Sequence, residues 1–445
     1  MFRAARCPYL VRWRGEFYEH AGPCYVAVAE DELWSRIRRF IADVGRWRVT
    51  DRRGEARVER APFATKKFIG EVLDSLRINH IPQDRDEPCW MGPGDRTTDA
   101  RDVIPLKNGR LILPRCTVSP SGPDLFNLGF VDAEYANSKP APTPWTCFLQ
   151  EVFSSAEEIA VLQEWCGLLL TTHTRFQKAL ILVGPPGSGK STICRVLVSV
   201  LGGPNVASTS INALGDRFGL QHLVGKRVAI LEDARVESGS ATRAGFQRFL
   251  AISGEDQVQV DRKFKDPVTV ALYARLMLVS NELPIFNDSA GALQRRLLIL
   301  RTSPTQRAAD PKLVERLLQD RSAILSWAVE GLQRLLERGR FPELRSSDRA
   351  LEEMRELANP LLEFIVEHCE LDPQVFTPTS DLYGRYRDWA RAVGQRQLPR
   401  NVFARSECDP WRPDRACAAH QGRRARVGLP RHCAAFELAL LTPAI

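Results

Sequence analysis

The stretch Gly184-Pro185-Pro186-Gly187-Ser188-Gly189-Lys190-Ser191-Thr192 contains the residue types needed to hold a string of phosphates. Its three glycines let the backbone curl close to an anion, so that free N–H groups converge on one point. Lys190 is spaced to reach β- and γ-phosphates, and the Ser191 hydroxyl can ligate Mg²⁺. Downstream, Glu232-Asp233 closes an apolar run, where a carboxylate suits metal coordination and activation of an attacking water. Asp233 is the first choice for that role and Glu232 the second, since the sequence does not say which side chain faces the nucleotide. Asn281 ends another apolar run, where an amide can position water against a γ-phosphate. Arg295 and Arg296 precede a further run. An arginine there can be a finger that stabilises charge in a neighbour's site, or it can form a surface ion pair, the second more readily at Arg295.

Regular elements must position these groups. Ala179–Val183 reads as a short buried strand. After the loop, Ile193, Val196, Leu197, Val200 and Leu201 share one helical face until Gly202-Gly203-Pro204 stops it. Residues 225–233, 276–280 and 297–300 read as further buried strands. Alternation on both sides of residues 263–267 predicts a β-hairpin with Arg262, Lys263, Lys265 and Phe264 near its tip. Such a tip can follow a single strand's phosphates while the aromatic touches a base or sugar, and it can equally be a solvated hairpin.

Elsewhere, residues 31–41 form a helical pattern with Leu33, Trp34, Ile37 and Ile41 on one face. A second pattern, over residues 65–76, carries Phe68, Ile69, Val72, Leu73 and Leu76. Both faces read as packing surfaces. Residues 79–144 are rich in Pro, Gly and Asp, and their loop setting makes Asp84, Asp86, Asp99 and Asp102 solvated turn residues rather than a two-metal site. Residues 145–170 are helical again.

The 445 residues suffice for two or three domains, and 62 Lys+Arg against 54 Asp+Glu give a net +8 that is compatible with a polyanionic partner without requiring one. The 11 cysteines are odd in number and lack C-x-x-C pairs, which argues for reduced thiols and against a disulfide framework. No apolar run approaches the roughly 18 residues a membrane span needs, and the first residues lack a signal's apolar stretch, so cytoplasmic residence with no membrane partner is the expectation.

In this order, the groups from Gly184 to Arg296 resemble a superfamily 3 helicase within the AAA+ ATPases. More closely, they resemble the C-terminal helicase part of phage and plasmid primases, which is related to the poxvirus helicase-primase. The matching stretches are 231–235, 253–256 through Arg262-Lys263, 280–284 and 291–296. The similarity extends upstream through 107–111 and 145–149, which look like that family's collar, and downstream through 327–332, covering about residues 15 to 405.

The resemblance implies an α/β fold: a P-loop AAA+ ATPase core (151–305), a helical N-terminal collar (1–150), a helical lid (306–370) and a partial winged-helix-like C-terminus (371–445). It implies ATP and Mg²⁺, with Lys190 and Ser191 on phosphate and metal, Asp233 with Glu232 completing the metal and water site, and Asn281 sensing the γ-phosphate. Arg296 is the implied finger, preferred over Arg295 because relatives often carry only one arginine, at the second position. Arg262, Lys263 and Lys265 would face single-stranded or forked DNA in the channel of a homo-hexamer, with a separate primase as partner. The implied function is an ATP-dependent DNA helicase in replication of a phage, plasmid or integrated element.

Two features depart from the pattern. Glu255 stands where many relatives have a second Gly. After Phe403 the expected basic wing gives way to a tail with Cys408, Cys417, His420, His432 and Cys433, whose spacing fits no standard zinc site and which reads as disordered or miscoded. Two other readings stand beside the helicase: an AAA+ ATPase that loads or remodels a replication partner without unwinding, and a non-catalytic DNA-binding remnant. Competent residues at the phosphate, metal, sensor and finger positions oppose the remnant.

Overall fold

The computed structural model describes residues 2–44, 46–50, 56–60, 65–82, 85–91, 97–136, 143–232, 240–284, 294–303, 310–358, 361, 364–365, 368–372, 377–394, 397–400, 403–404 and 437–440. Asp84, Asp233 and the cysteines and histidines of the tail lie outside these residues. The described chain falls into two compact units, divided in the main between Asp348 and Arg349.

The first unit begins with α1 (Phe2–Arg6) and an antiparallel sheet of β1 (Leu10–Trp13), β2 (Glu16–Ala21) and β3 (Cys24–Val28). Then come α2 (Glu30–Val44), a hairpin of β4 (Arg46–Thr50) and β5 (Ala56–Arg60), and α3 (Lys66–Leu76), capped by Thr65. Leu33 and Ile37 of α2 share a buried cluster with Ile69 and Leu73 of α3, as the helical periodicity predicts, whereas Phe68 is exposed. Short strands follow: β6 (Cys89–Trp90) pairs with β10 (Leu125–Phe126), and β7 (Val103–Leu106), β8 (Gly109–Ile112) and β9 (Thr117–Ser119) form a meander.

The expected helical collar is therefore corrected to a mixed region with many strands. Apolar and polar residues alternate around the Arg14-Gly15 turn, whose positive φ angles of 48° and 84° suit a tight hairpin. The helical pattern over residues 145–170 resolves into α4 (Pro144–Val152) and α5 (Ala156–Leu168). A Thr143/Thr146 capping box opens α4, and the Ser155 hydroxyl accepts from Glu158 N to start α5, so the chain breaks where Ser competes best as a cap.

The core sheet comprises β11 (Ala179–Val183), β12 (Val206–Thr209), β13 (Val228–Glu232), β16 (Arg275–Ser280) and β17 (Leu297–Arg301). All pairs are parallel, in the order β12-β13-β16-β11-β17. Four of these strands match the predicted apolar runs, which are near-continuous because both faces of a parallel sheet are covered. Strand β12, with two hydroxyl residues in four, went unpredicted.

Helix α6 (Lys190–Leu201) follows β11, α7 (Ile211–Gly215) follows β12, and α8 (Ser240–Ser253) leads to the hairpin of β14 (Gln257–Arg262) and β15 (Lys265–Ala271). Helices α9 (Leu313–Leu317), α10 (Arg321–Arg338) and the start of α11 (Arg345–Ala358) complete the unit. Helix α10 packs on α5, where the buried Glu164 is satisfied by Arg334, at 2.8 Å, and Arg338.

In the second unit, Leu382, Tyr386 and Trp389 of the helix Thr379–Ala392 pack with Phe364 and Phe403. A strand, Cys369–Asp372, pairs antiparallel with Glu437–Leu440, so the tail read as irregular contains regular structure near its end. Among the described residues no helix is long and apolar enough to cross a membrane, and no group of three or more His, Cys, Asp or Glu residues could hold a metal ion.

Candidate functional site

Parallel strands direct their C-terminal ends to one edge of the sheet, where open α/β sheets hold ligands. Register places Val183 beside Ser280 and beside Arg301, and Glu232 beside Val279. The loop after β11, the end of β13 and the end of β16 therefore meet. They line an open cleft of about 1410 Å³ whose walls include Lys190, Ser191, Thr192, Glu232, Ser280 and Asn281. Glu232 and Asn281 are exposed at its surface. Asp233, the first-choice carboxylate, lies outside the described residues.

The glycine-rich loop, residues 184–189, is held from several sides. Gly184 N donates to Ser280 O at 3.3 Å. Ser188 Oγ donates to Pro185 O at 2.7 Å and lies 2.6 Å from Thr302 Oγ1, at the end of β17. A Cβ on Gly184 would collide with that Thr302 oxygen, and one on Gly189 would lie 2.9 Å from Val152 of α4. Gly189 also needs its φ of 99° to start α6, a region costly for other residues. Two of the motif's three glycines, Gly184 and Gly189, thus answer to packing, whereas Gly187 faces open space at φ 78°.

Lys190 is buried, and its Nζ donates to the carbonyl oxygens of Gly184 and, at 2.8 Å, Pro185. Burial lowers its pKa from the usual lysine value. One turn on, burial and then the Glu232 carboxylate push the Cys194 thiol up to about 12, while Lys190 pulls it down. The cleft is thus lined by a lysine whose hydrogen-bond partners are the neutral Gly184 and Pro185 carbonyls and Ser188, and by the carboxylates of Asp132, Glu232 and Asp310. Ser191 and Glu232 in its lining carry oxygen donors, the ligand type that Mg²⁺ favours.

The two arginines have different surroundings, and neither is among the described lining of the cleft. Arg295 is exposed, with its carbonyl accepting from Lys178 Nζ at 2.6 Å. Arg296 is partly buried, donates to Leu250 O at 2.7 Å and packs against Gly254. Glu255, which replaces the second Gly of the resembled family, has φ 66°. That left-handed backbone explains why Gly suits the position, and the Glu255 carboxylate accepts from Gln177 at 3.1 Å.

The β14–β15 hairpin turns through Lys263 and Phe264 alone. Phe264 is 104% exposed at φ 60°, a solvated aromatic in the left-handed conformation that a tight two-residue hairpin turn uses. Lys263 Nζ lies 5.7 Å over the ring of Phe218, and Arg217 reaches Asp261 at 3.5 Å. Sequence reasoning missed Arg217 and Phe218, although a basic-aromatic pair after α7 was a signal. Arg262 and Lys265 turn instead toward Glu16 of β2. Asp99 and Asp102, read as solvated, are bonded: Asp99 to Arg101, and Asp102 to His173 at 2.7 Å.

Residues 182–296, from β11 to the arginine pair, match a family described as a family of unknown function, DUF5906. Among solved structures the chain is similar to the apo C-terminal region of NrS-1. One A-form determination aligns at 12% identity and TM-score 0.45, covering 78% of this chain and 71% of that one. Two others, of residues 305–718, align at 12% identity with TM-scores of 0.47 and 0.48, covering 79% and 81% of this chain and 72% and 73% of those.

Proposed function

We propose that the chain is an ATP-dependent DNA helicase of the superfamily 3, AAA+ type, acting in replication of a phage, plasmid or integrated element. The observation that carries this reading is the meeting of Lys190, Glu232 and Asn281 at the C-terminal ends of three adjacent parallel strands. Lys190 binds the β- and γ-phosphates in place of the Gly184 and Pro185 carbonyls, and loop N–H groups with the start of α6 cradle the rest. Ser191 and an acid at the end of β13, Glu232 or Asp233, hold Mg²⁺, which when bound neutralises developing phosphate charge. The carboxylate and Asn281 orient the attacking water.

A finger acting in trans requires a neighbouring subunit, and the hexamer implied by the resemblance supplies one. Arg296 is the family position, while Arg295 is the more exposed of the two. Lys263 and Phe264, with Phe218 and Arg217 beside them, grip the single strand through phosphate charge and base contact.

ATP hydrolysis with and without single-stranded DNA tests the first half of this reading, and strand separation on a forked duplex tests the second. DNA-independent hydrolysis without separation favours an ATPase that loads or remodels a replication partner.

A further inference from the structure

Two of the three hairpin cations are engaged within the chain. Glu16, the first residue of β2, accepts through Oε1 from Lys265 Nζ at 2.7 Å and from Arg262 at 3.4 Å. Arg262 also donates to Arg14 O at 3.4 Å and to Asp266 O at 2.9 and 3.0 Å. The turn that presents Glu16 is braced, since Arg14 pairs with Asp86 at 2.6 Å and its guanidinium lies 4.3 Å over the Trp13 ring. A carboxylate on a fixed turn thus sits against the last residue pair before the hairpin turn, while Lys263 and Phe264 of the turn itself remain outside this contact.

A carboxylate that binds a Lys and an Arg together offers those cations what a phosphodiester would offer: a delocalised anion with oxygen acceptors. Side-chain exposures of 28% for Glu16 and 50% for Lys265 put the pair in the class of weak, solvent-screened ion pairs. A polyanion can displace such a pair. We infer that Glu16 is a positioning residue that competes with the phosphates of a bound strand for Lys265 and Arg262, holding both cations in place and releasing them on binding. This rests on the hairpin being the nucleic-acid contact. An internal competitor lowers affinity and masks part of the counterion release, so its removal raises both.

The test is binding of a labelled oligothymidylate by the full-length chain across a salt series. Glu16→Gln keeps the side chain's shape and removes its charge. It is expected to tighten binding about twofold to fivefold at low salt and to steepen the salt slope by about 0.7 for each further phosphate that the freed cations neutralise. Glu71→Gln, which removes the same charge from an exposed position on α3, should match the wild type. In a chain already carrying Arg262→Ala and Lys265→Ala, Glu16→Gln should have no effect.

Wild-type affinity and slope for Glu16→Gln overturn the proposal, and so does an effect that persists in the Arg262→Ala, Lys265→Ala chain. Binding that is indifferent to Lys263→Ala with Phe264→Ala overturns the hairpin reading itself. Sensitivity to that pair with indifference to Glu16→Gln removes only the role of Glu16.

Discussion

In the cleft at the edge of the parallel sheet, Lys190 is buried and held by two backbone carbonyls, and the loop around it is tied to β16 and β17. At the hairpin, Lys263 and Phe264 stand in solvent, and the cations behind them are shared with a carboxylate from β2. The first region is preorganised, with few ways to rearrange. The second is adaptable, with several weak interactions that can be exchanged. Deleting one group should therefore be severe in the cleft and graded at the hairpin.

The largest effect expected is at Lys190. Lys190→Ala should lower ATP turnover by at least about a hundredfold, the usual cost of removing a preorganised charge-stabilising group. Measurement beside an unchanged thermal midpoint would separate this loss from unfolding.

Next in size is Glu87, buried behind the hairpin in a small cavity shared with Trp13, Arg14 and the end of β15. Burial raises its carboxyl pKa to about 7, opposed by Arg227 and the Leu128 N–H. The folded chain therefore holds this proton more tightly than the unfolded chain, whose carboxyl titrates near the ordinary 4.5. The resulting stability is fully present below that value and is lost as pH rises to about 7. Denaturant titrations at about pH 5 and pH 7.5 should show Glu87→Gln sparing the chain a loss on the order of 3 kcal/mol. An identical pH dependence in both chains would contradict the assignment.

At the hairpin tip, Phe264→Ala should cost about 1–3 kcal/mol of single-strand binding through lost stacking. Lys263→Ala should flatten the salt slope by about 0.7. Effects as abrupt as those at Lys190 would break the contrast between the regions. Glu255 lies between α8 and the hairpin, and the effects expected there are on stability. Glu255→Val, a β-branched residue forced to φ 66°, should destabilise by about 1–3 kcal/mol. Glu255→Gly should stay near wild type, because backbone relief offsets the missing hydrogen bond from Gln177.

The same contrast explains what the sequence made legible. The loop, its strand and its helix are contiguous, and the apolar runs of β13, β16 and β17 announce themselves locally, so most of the cleft could be read directly. Strand β12 escaped because Val206-Ala207-Ser208-Thr209 carries little apolar signal. The N-terminal strands escaped because Arg12, Glu16, Glu19 and His20 interrupt their apolar residues and leave no continuous run. The Thr302 hydroxyl against Ser188, 114 positions apart, and Glu16 against Lys265, 249 apart, are products of the tertiary fold that no local pattern encodes. The arginine pair was legible as a pair, but the burial of Arg296 against Leu250 O was not.

The most direct test is ATP hydrolysis by the purified chain with and without single-stranded DNA, run beside strand separation of a forked duplex. The account predicts hydrolysis stimulated by the single strand together with ATP-dependent separation, both abolished by Lys190→Ala. Absence of hydrolysis under either condition, or turnover that survives Lys190→Ala, would contradict it.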